Sequence, residues 1–171
     1  VYGDFDVDGV TATVIFAEGL SRLGAEVIPY IPDRVNEGHG LKISALEKLQ
    51  AQGANLVITV DCGITDLAEV KQAQEMGMDM IITDHHIPLG SLPRAIAVID
   101  PKRRDSVYPF PDLAGAGVAF KLLQALFHKD RREEWLTRLL DLVALATVTD
   151  LVTLVGENRY LVKEGLRELN N

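Results

Sequence analysis

Cysteine is nearly absent from this chain of 171 residues, where Cys62 stands alone. One thiol rules out an internal disulfide and fits a reducing compartment, so a cytoplasmic setting is the expectation. Long apolar runs are missing too. The longest is broken well before the roughly 18 to 20 residues that a membrane span needs. No charged segment followed by an apolar stretch opens the chain, so no signal peptide has to be set aside. Internal repeats and low-complexity segments are also lacking. Basic residues are in deficit: 17 Lys and Arg face 25 Asp and Glu, giving a net charge of −8 and a pI near 4.9. Taken alone, that deficit argues against nucleic acid, whose phosphates call for clustered cations. It also fits carboxylates that serve as metal ligands, where bound cations cancel the charge. The chain opens at Val1 with no methionine and stops just after a helical pattern. A fragment of a longer protein is therefore expected.

What is present is the composition of a soluble globular domain, 47% hydrophobic and 25% charged, long enough for a real core. Strand and helix patterns alternate. Five strands are expected, at residues 1–5, 26–31, 55–61, 78–84 and 94–100, with Pro29 placing the second at an edge or irregularity. Helical patterns occupy residues 9–24, 40–53 and 66–77, and each closes on a glycine. The economical fold is α/β: a mainly parallel five-stranded sheet with flanking helices joined by right-handed crossovers. After Pro101 a polar, Pro-containing connector leads into a helical C-terminal part at 117–127, 132–148 and 157–169.

Ligands in such sheets bind beyond the carboxyl ends of the strands. The acidic and imidazole residues fall there. "GDFDVDG" alternates Asp4, Asp6 and Asp8, "TVDCG" ends at Asp61, and "ITDHH" ends at Asp84, His85 and His86. Carboxylates mixed with imidazoles suit Mn²⁺, Fe²⁺, Co²⁺ or Zn²⁺. Two such ions about 3.5–4 Å apart activate water and hold a phosphoryl oxygen. Simpler readings exist for single residues. Asp61 has the position of a helix cap, and Asp84 could orient an imidazole instead of acting directly. "DFDVDG" resembles the opening of an EF-hand loop, but Ile15 stands where that loop needs its bidentate Glu. Asp150, in the apolar run "VALATVTDLVTL", reads as a ligand or as a cap at a helix break, since a lone buried carboxylate is costly.

"GDFDVDG", "VDCG", "DHH" and the late Asp of "ATVTD" resemble, in order, the four motifs of the DHH phosphoesterase superfamily. With "EGHGL" and "GAGVAFKL" added, the chain is similar along its whole length to the RecJ-like single-strand-specific exonucleases within it. The resemblance implies one DHH domain over residues 1–171, with a second, substrate-binding domain lying outside this chain. It implies a metal-dependent phosphodiesterase that releases nucleotides 5′→3′ from single-stranded DNA in repair and recombination. Mn²⁺ is the implied cofactor, as two ions, with Mg²⁺ as the alternative. Single-strand-binding and replication or repair proteins are the implied partners.

Carried over by position, Asp6, Asp8, Asp61, His85 and Asp150 are the implied metal ligands, and Asp61 bridges the ions. Asp4 could compensate at the first ion, because Tyr2 replaces a histidine that many family members carry. Asp61, Asp84 and His86 form the expected catalytic group, with His86 also holding the phosphate. Arg34 is a candidate phosphate clamp, and His39, where the family often has Tyr, a candidate substrate contact. Gly115 and Gly117 could present backbone N–H groups to a phosphate or could serve helix packing. The run Lys102–Arg104 has the alternatives of touching DNA or being solvated. Cys62 and Trp135 read as packing residues. Two rival functions share the fold: a phosphoesterase for short oligonucleotides, cyclic dinucleotides or pyrophosphate, and a non-catalytic scaffold that binds a replication partner.

Overall fold

The computed structural model describes residues 1–128 and 133–169. Three parallel strands form the sheet in the order β1 (Leu56–Val60), β2 (Asp79–Thr83), β3 (Ala97–Ile99). The expected five strands are thus corrected to three. The first two survive as single parallel bridges, with Tyr2 pairing Tyr30 on one side and Thr59 on the other. Four backbone bonds attach them: Tyr2 N to Ile58 O (2.9 Å), Val60 N to Tyr2 O (2.8 Å), Gly3 N to Tyr30 O (3.0 Å) and Tyr30 N to Val1 O (2.8 Å). The cause is local. Pro29 and Pro32 flank Tyr30 and offer no N–H to a ladder, and the chain leaves the sheet at Asp4 to enter α1 (Val7–Arg22).

Asp6 caps α1 by accepting a hydrogen bond from Gly9 N at 2.9 Å, the usual device at a helix start. Gly24, at φ +92°, ends the helix in the left-handed conformation that a side chain would resist. The helices α2 (Ile43–Ala51) and α3 (Leu67–Glu75) pack on one face of the sheet with Tyr2, Val57, Met80 and Ile82. On the other face lie α1, α4 (Gly115–His128) and α5 (Leu140–Thr149), around Val60, Phe16, Phe120 and Leu123. Period-two alternation makes this division: Val57 and Met80 point to one layer, Ile58 and Val60 to the other.

The helical C-terminal part is observed, with one refinement. The helix expected over 132–148 is a 3-10 stretch at Glu133–Leu139 that runs into α5, and Arg132 lies outside the described residues. Trp135 packs at the rim of the core, with the Arg22 guanidinium 4.2 Å from its ring centre. The last helix, α6 (Gly156–Glu168), lies against α5. Among the described residues no helix is long and apolar enough to cross a membrane.

Candidate metal centre

Chain turns at the carboxyl end of the sheet gather the polar residues. Asp61 directly follows β1 and adopts φ +62°, a left-handed conformation uncommon for a residue with a side chain. Such strain persists where surroundings over-determine it, which happens most often at functional sites. Asp84 follows β2, and both its oxygens are engaged. One accepts from His85 N (2.7 Å), His86 N (3.1 Å) and His86 Nδ1 (2.7 Å), and the other accepts from Ile64 N (2.9 Å). This carboxylate ties the β2 turn to the β1 turn and orients the His86 ring. Its place is therefore the orienting one that the sequence left open beside the catalytic one.

His85 is the centre of the cluster. Its Nδ1 lies 3.0 Å from the Leu113 carbonyl. A carbonyl only accepts, so Nδ1 donates there and Nε2 is the ring nitrogen turned toward the cluster. Nε2 faces three carboxylates, with Asp61 Oδ1 at 3.0 Å, Asp8 Oδ2 at 3.6 Å and Asp150 Oδ2 at 3.8 Å. Although close, Nε2 and Asp61 Oδ1 are not aligned for a hydrogen bond, and both stay buried without a partner. Buried polar atoms are rarely left so, and a cation between the groups would satisfy them together. Asp61, His85 and His86 offer ligand atoms within 4.8 Å of one another, as do Asp8, His85 and Asp150. A mixed oxygen and nitrogen set fits Mn²⁺ and also admits Mg²⁺.

The electrostatics agree with the geometry. Burial, then the nearby charge of Asp6, pushes Asp61 up to about 9. Burial and the Asp61 charge push Asp8 up to about 7, against the pull of backbone N–H groups. Burial also acts to raise Asp84, but the His86 hydrogen bond and charge outweigh it and hold that carboxyl below its usual range. His86 in turn is pushed up to about 9, chiefly by its hydrogen bond to Asp84, so this half-exposed ring is cationic at neutral pH.

The expected residues do not all converge. Asp8, Asp61, His85, His86 and Asp150 are brought together. Asp4 and Asp6 are not in either ligand group: Asp6 caps α1, while Asp4 accepts from Phe5 N (2.7 Å) and pairs with His39 Nδ1 (2.6 Å). Tyr2 is buried, with its hydroxyl on Gly40 O and its ring stacked on Tyr30, so it replaces an imidazole with packing. Arg34 and His39 both sit beside Phe5, at 5.4 Å and 4.1 Å from its ring centre, and of the two His39 reaches the site. A pocket of about 290 Å³ has Asp4, His39, Asp61, Asp84 and His86 among its walls. Gly115 N does not face solvent for a phosphate. It donates to Asp8 Oδ2 at 2.6 Å, and Ala116 N donates to Asp8 Oδ1 at 2.7 Å. Gly117 lies in the packing of α4 against Leu113. Arg103 is engaged with Asp105 and the Val98 carbonyl, and Cys62 packs in the α2–α3 layer.

Asp100 was not among the expected residues. It follows β3 and is buried, its Oδ2 has no partner, and burial pushes it up to about 6. The rule that picks out Asp61 and Asp84, an acid closing an apolar strand, applies equally to "AVID".

Fold and site together define an α/β domain built to hold divalent cations at its strand ends. A sequence profile of the DHH family, N-terminal domain, matches residues 1–147, and the chain belongs to that family. It is 47% identical over 169 residues to a single-stranded-DNA-specific exonuclease RecJ of Bacillus subtilis, covering 99% of this chain and 21% of that protein. Its identity to the RecJ of Escherichia coli is 42% over 180 residues, covering 99% and 31% respectively. Among solved structures, exonuclease RecJ bound to manganese matches with a TM-score of 0.85 at 41% identity, over 97% of this chain and 42% of that one. RecJ of Thermus thermophilus in complex with Mn²⁺ matches with a TM-score of 0.79 at 38% identity, over 97% of this chain and 23% of that one. The chain thus spans less than a third of the length of these curated relatives.

Proposed function

We propose that this chain is the catalytic domain of a two-metal phosphodiesterase that removes nucleotides from the 5′ end of single-stranded DNA. The observation that carries the reading is Nε2 of His85, buried without a hydrogen-bond partner and aimed at Asp8, Asp61 and Asp150. Similarity to RecJ over nearly the whole chain supports the substrate class. Divalent ions bound at such a cluster supply the Lewis acidity that activates water and offsets charge on the leaving oxygen.

The chain's own residues supply the rest. Leu113 O fixes the tautomer of His85, and Asp84 fixes the ring of His86 and keeps it charged. The imidazolium of His86 is then a phosphate donor at the edge of the cluster. Arg34, beside Phe5 and through it near His39, adds a guanidinium suited to a second phosphate contact. No protein nucleophile is called for. Cys62, the one thiol, is buried, and burial holds it well above its usual range. The net charge of −8 fits a substrate polyanion once ions fill the cluster and basic surface comes from parts of the protein outside this chain.

A direct test offers labelled long single strands, duplexes and dinucleotides to this chain and to the longer protein, with Mn²⁺. The reading expects hydrolysis of single strands by the longer protein, weak activity from this chain, and a marked loss in both on His86→Ala. Preference of the longer protein for dinucleotides would move it to the small-substrate class. Processive digestion of long strands by this chain alone would contradict the dependence on a second domain.

A further inference from the structure

The start of α4 bears on two metal-site carboxylates through one residue. A helix start leaves N–H groups without intrahelical partners. Here those of Gly115 and Ala116 are spent on Asp8, one on each oxygen, at 2.6 Å and 2.7 Å. The Gly115 bond is buried, and it spans 107 residues of sequence. Asp8 is thereby held in one orientation, with the positive end of α4 behind it.

On its other side Gly115 touches Asp61. A Cβ built at Gly115 falls 2.6 Å from both Cβ and Oδ1 of Asp61 and 2.8 Å from its Cγ. A Cβ has no rotamer with which to escape, and Asp61 Cβ is set by a backbone at φ +62°. Gly117, two residues on in the same motif, differs. The three atoms nearest a Cβ there all belong to Leu113, at 3.4–3.8 Å, which is ordinary contact.

We propose that Gly115 is a positioning residue of the metal centre, setting the separation of Asp8 and Asp61 through its N–H and its missing Cβ. This inference rests on the reading of the cluster as a metal site. It also explains why "GAGVAF" needs glycine at its first position without any bound phosphate: the donors at this helix start are committed to a protein carboxylate.

The test compares wild type, Gly115→Ala and Gly117→Ala by Mn²⁺ calorimetry, and by urea unfolding in chelator. Gly115→Ala is expected to lose about 10- to 100-fold in Mn²⁺ affinity, as when a group that orients a metal ligand is removed, while Gly117→Ala binds as wild type does. The double variant Gly115→Ala/Asp61→Gly separates spacing from folding. Without a side chain at residue 61 the three contacts with Asp61 disappear, and the metal-free unfolding midpoint should be no lower than that of Asp61→Gly alone. Wild-type affinity in Gly115→Ala, or failure of the double variant to recover, overturns the inference. Absence of Mn²⁺ binding by wild type brings down the metal reading itself, and the inference with it.

Discussion

The carboxyl end of the sheet and the helical layer beside it are built on opposite rules. Between α1, α4 and α5 the packing is apolar and close. Leu123 is fully buried, and it fills the space that a side chain on Gly19 of α1 would need. At the strand ends Asp8, Asp61, Asp84, Asp100 and His85 are nearly as buried as the core but bring ionisable groups, orphan atoms and a strained φ. The first region contributes stability, and the second consumes it. The lesson is that the polar end is arranged for something that is not part of the chain, because the chain alone does not satisfy it.

The largest effect that should separate the regions is Leu123→Ala. It is expected to cost about 2–5 kcal/mol by urea unfolding, through lost burial and the cavity left behind. Mn²⁺ affinity of the folded fraction should not change. A large change in affinity would join two regions that the structure keeps apart.

Asp61→Gly should act in the opposite sense. It removes a self-repelling carboxylate and a left-handed conformation that costs a side chain on the order of 1 kcal/mol. In chelator the variant is expected to unfold at higher urea than wild type, while Mn²⁺ binding is lost. A variant that is less stable in chelator and still binds Mn²⁺ would make Asp61 a structural residue.

The same contrast can be read from pH. Asp8 and Asp61 have folded pKa values raised, to about 7 and about 9, above the ordinary carboxylate range. Folding therefore favours their protonated forms. The stability this contributes is complete below the usual carboxylate pKa and is lost as pH rises through the folded values. Metal-free protein should weaken as pH rises through that window. The stabilisation given by Mn²⁺ should grow over the same range, because ligands must deprotonate to bind. His86 adds a smaller change of the same sign. Its pKa is raised to about 9 by Asp84, so its ion pair is complete below the usual imidazole value and is lost as pH passes about 9. Ring-proton NMR titration in chelator would place that midpoint. A value at or below the ordinary imidazole range would remove the cationic donor from the proposed site.

The smallest effect is expected at Gly117→Ala. Replacing a glycine inside a helix with ordinary space around it should raise stability by about 0.5–1 kcal/mol.

Much of this contrast is legible in the sequence. Apolar runs ending in Asp or His place residues at strand ends, and an α/β sheet brings those ends together, which singles out Asp61 and His85. Asp150 stands out as a lone acid in an apolar run. Asp100 obeys the strand-end rule as well, although it lacks the motif that marks the others. Other features depend on partners that sequence does not reveal. Period two in "GDFDVDG" suggests three equivalent carboxylates, but the helix begins between them. Asp6 becomes its cap, Asp8 turns into the site, and Asp4 is left facing His39. Gly115 is legible as a helix-start donor, but its recipient lies more than a hundred residues earlier. The strand count fails for a local reason: the apolar pattern marks residues 26–31, while Pro29 and Pro32 limit the pairing to Tyr30.

The central claim is that the cluster around His85 is a divalent-metal centre. Calorimetric titration of Mn²⁺ into this chain, repeated with Asp61→Ala, tests it most directly. The account predicts binding of up to two ions by the wild type, largely abolished in the variant. Equal binding by both proteins, or none by the wild type, would contradict it.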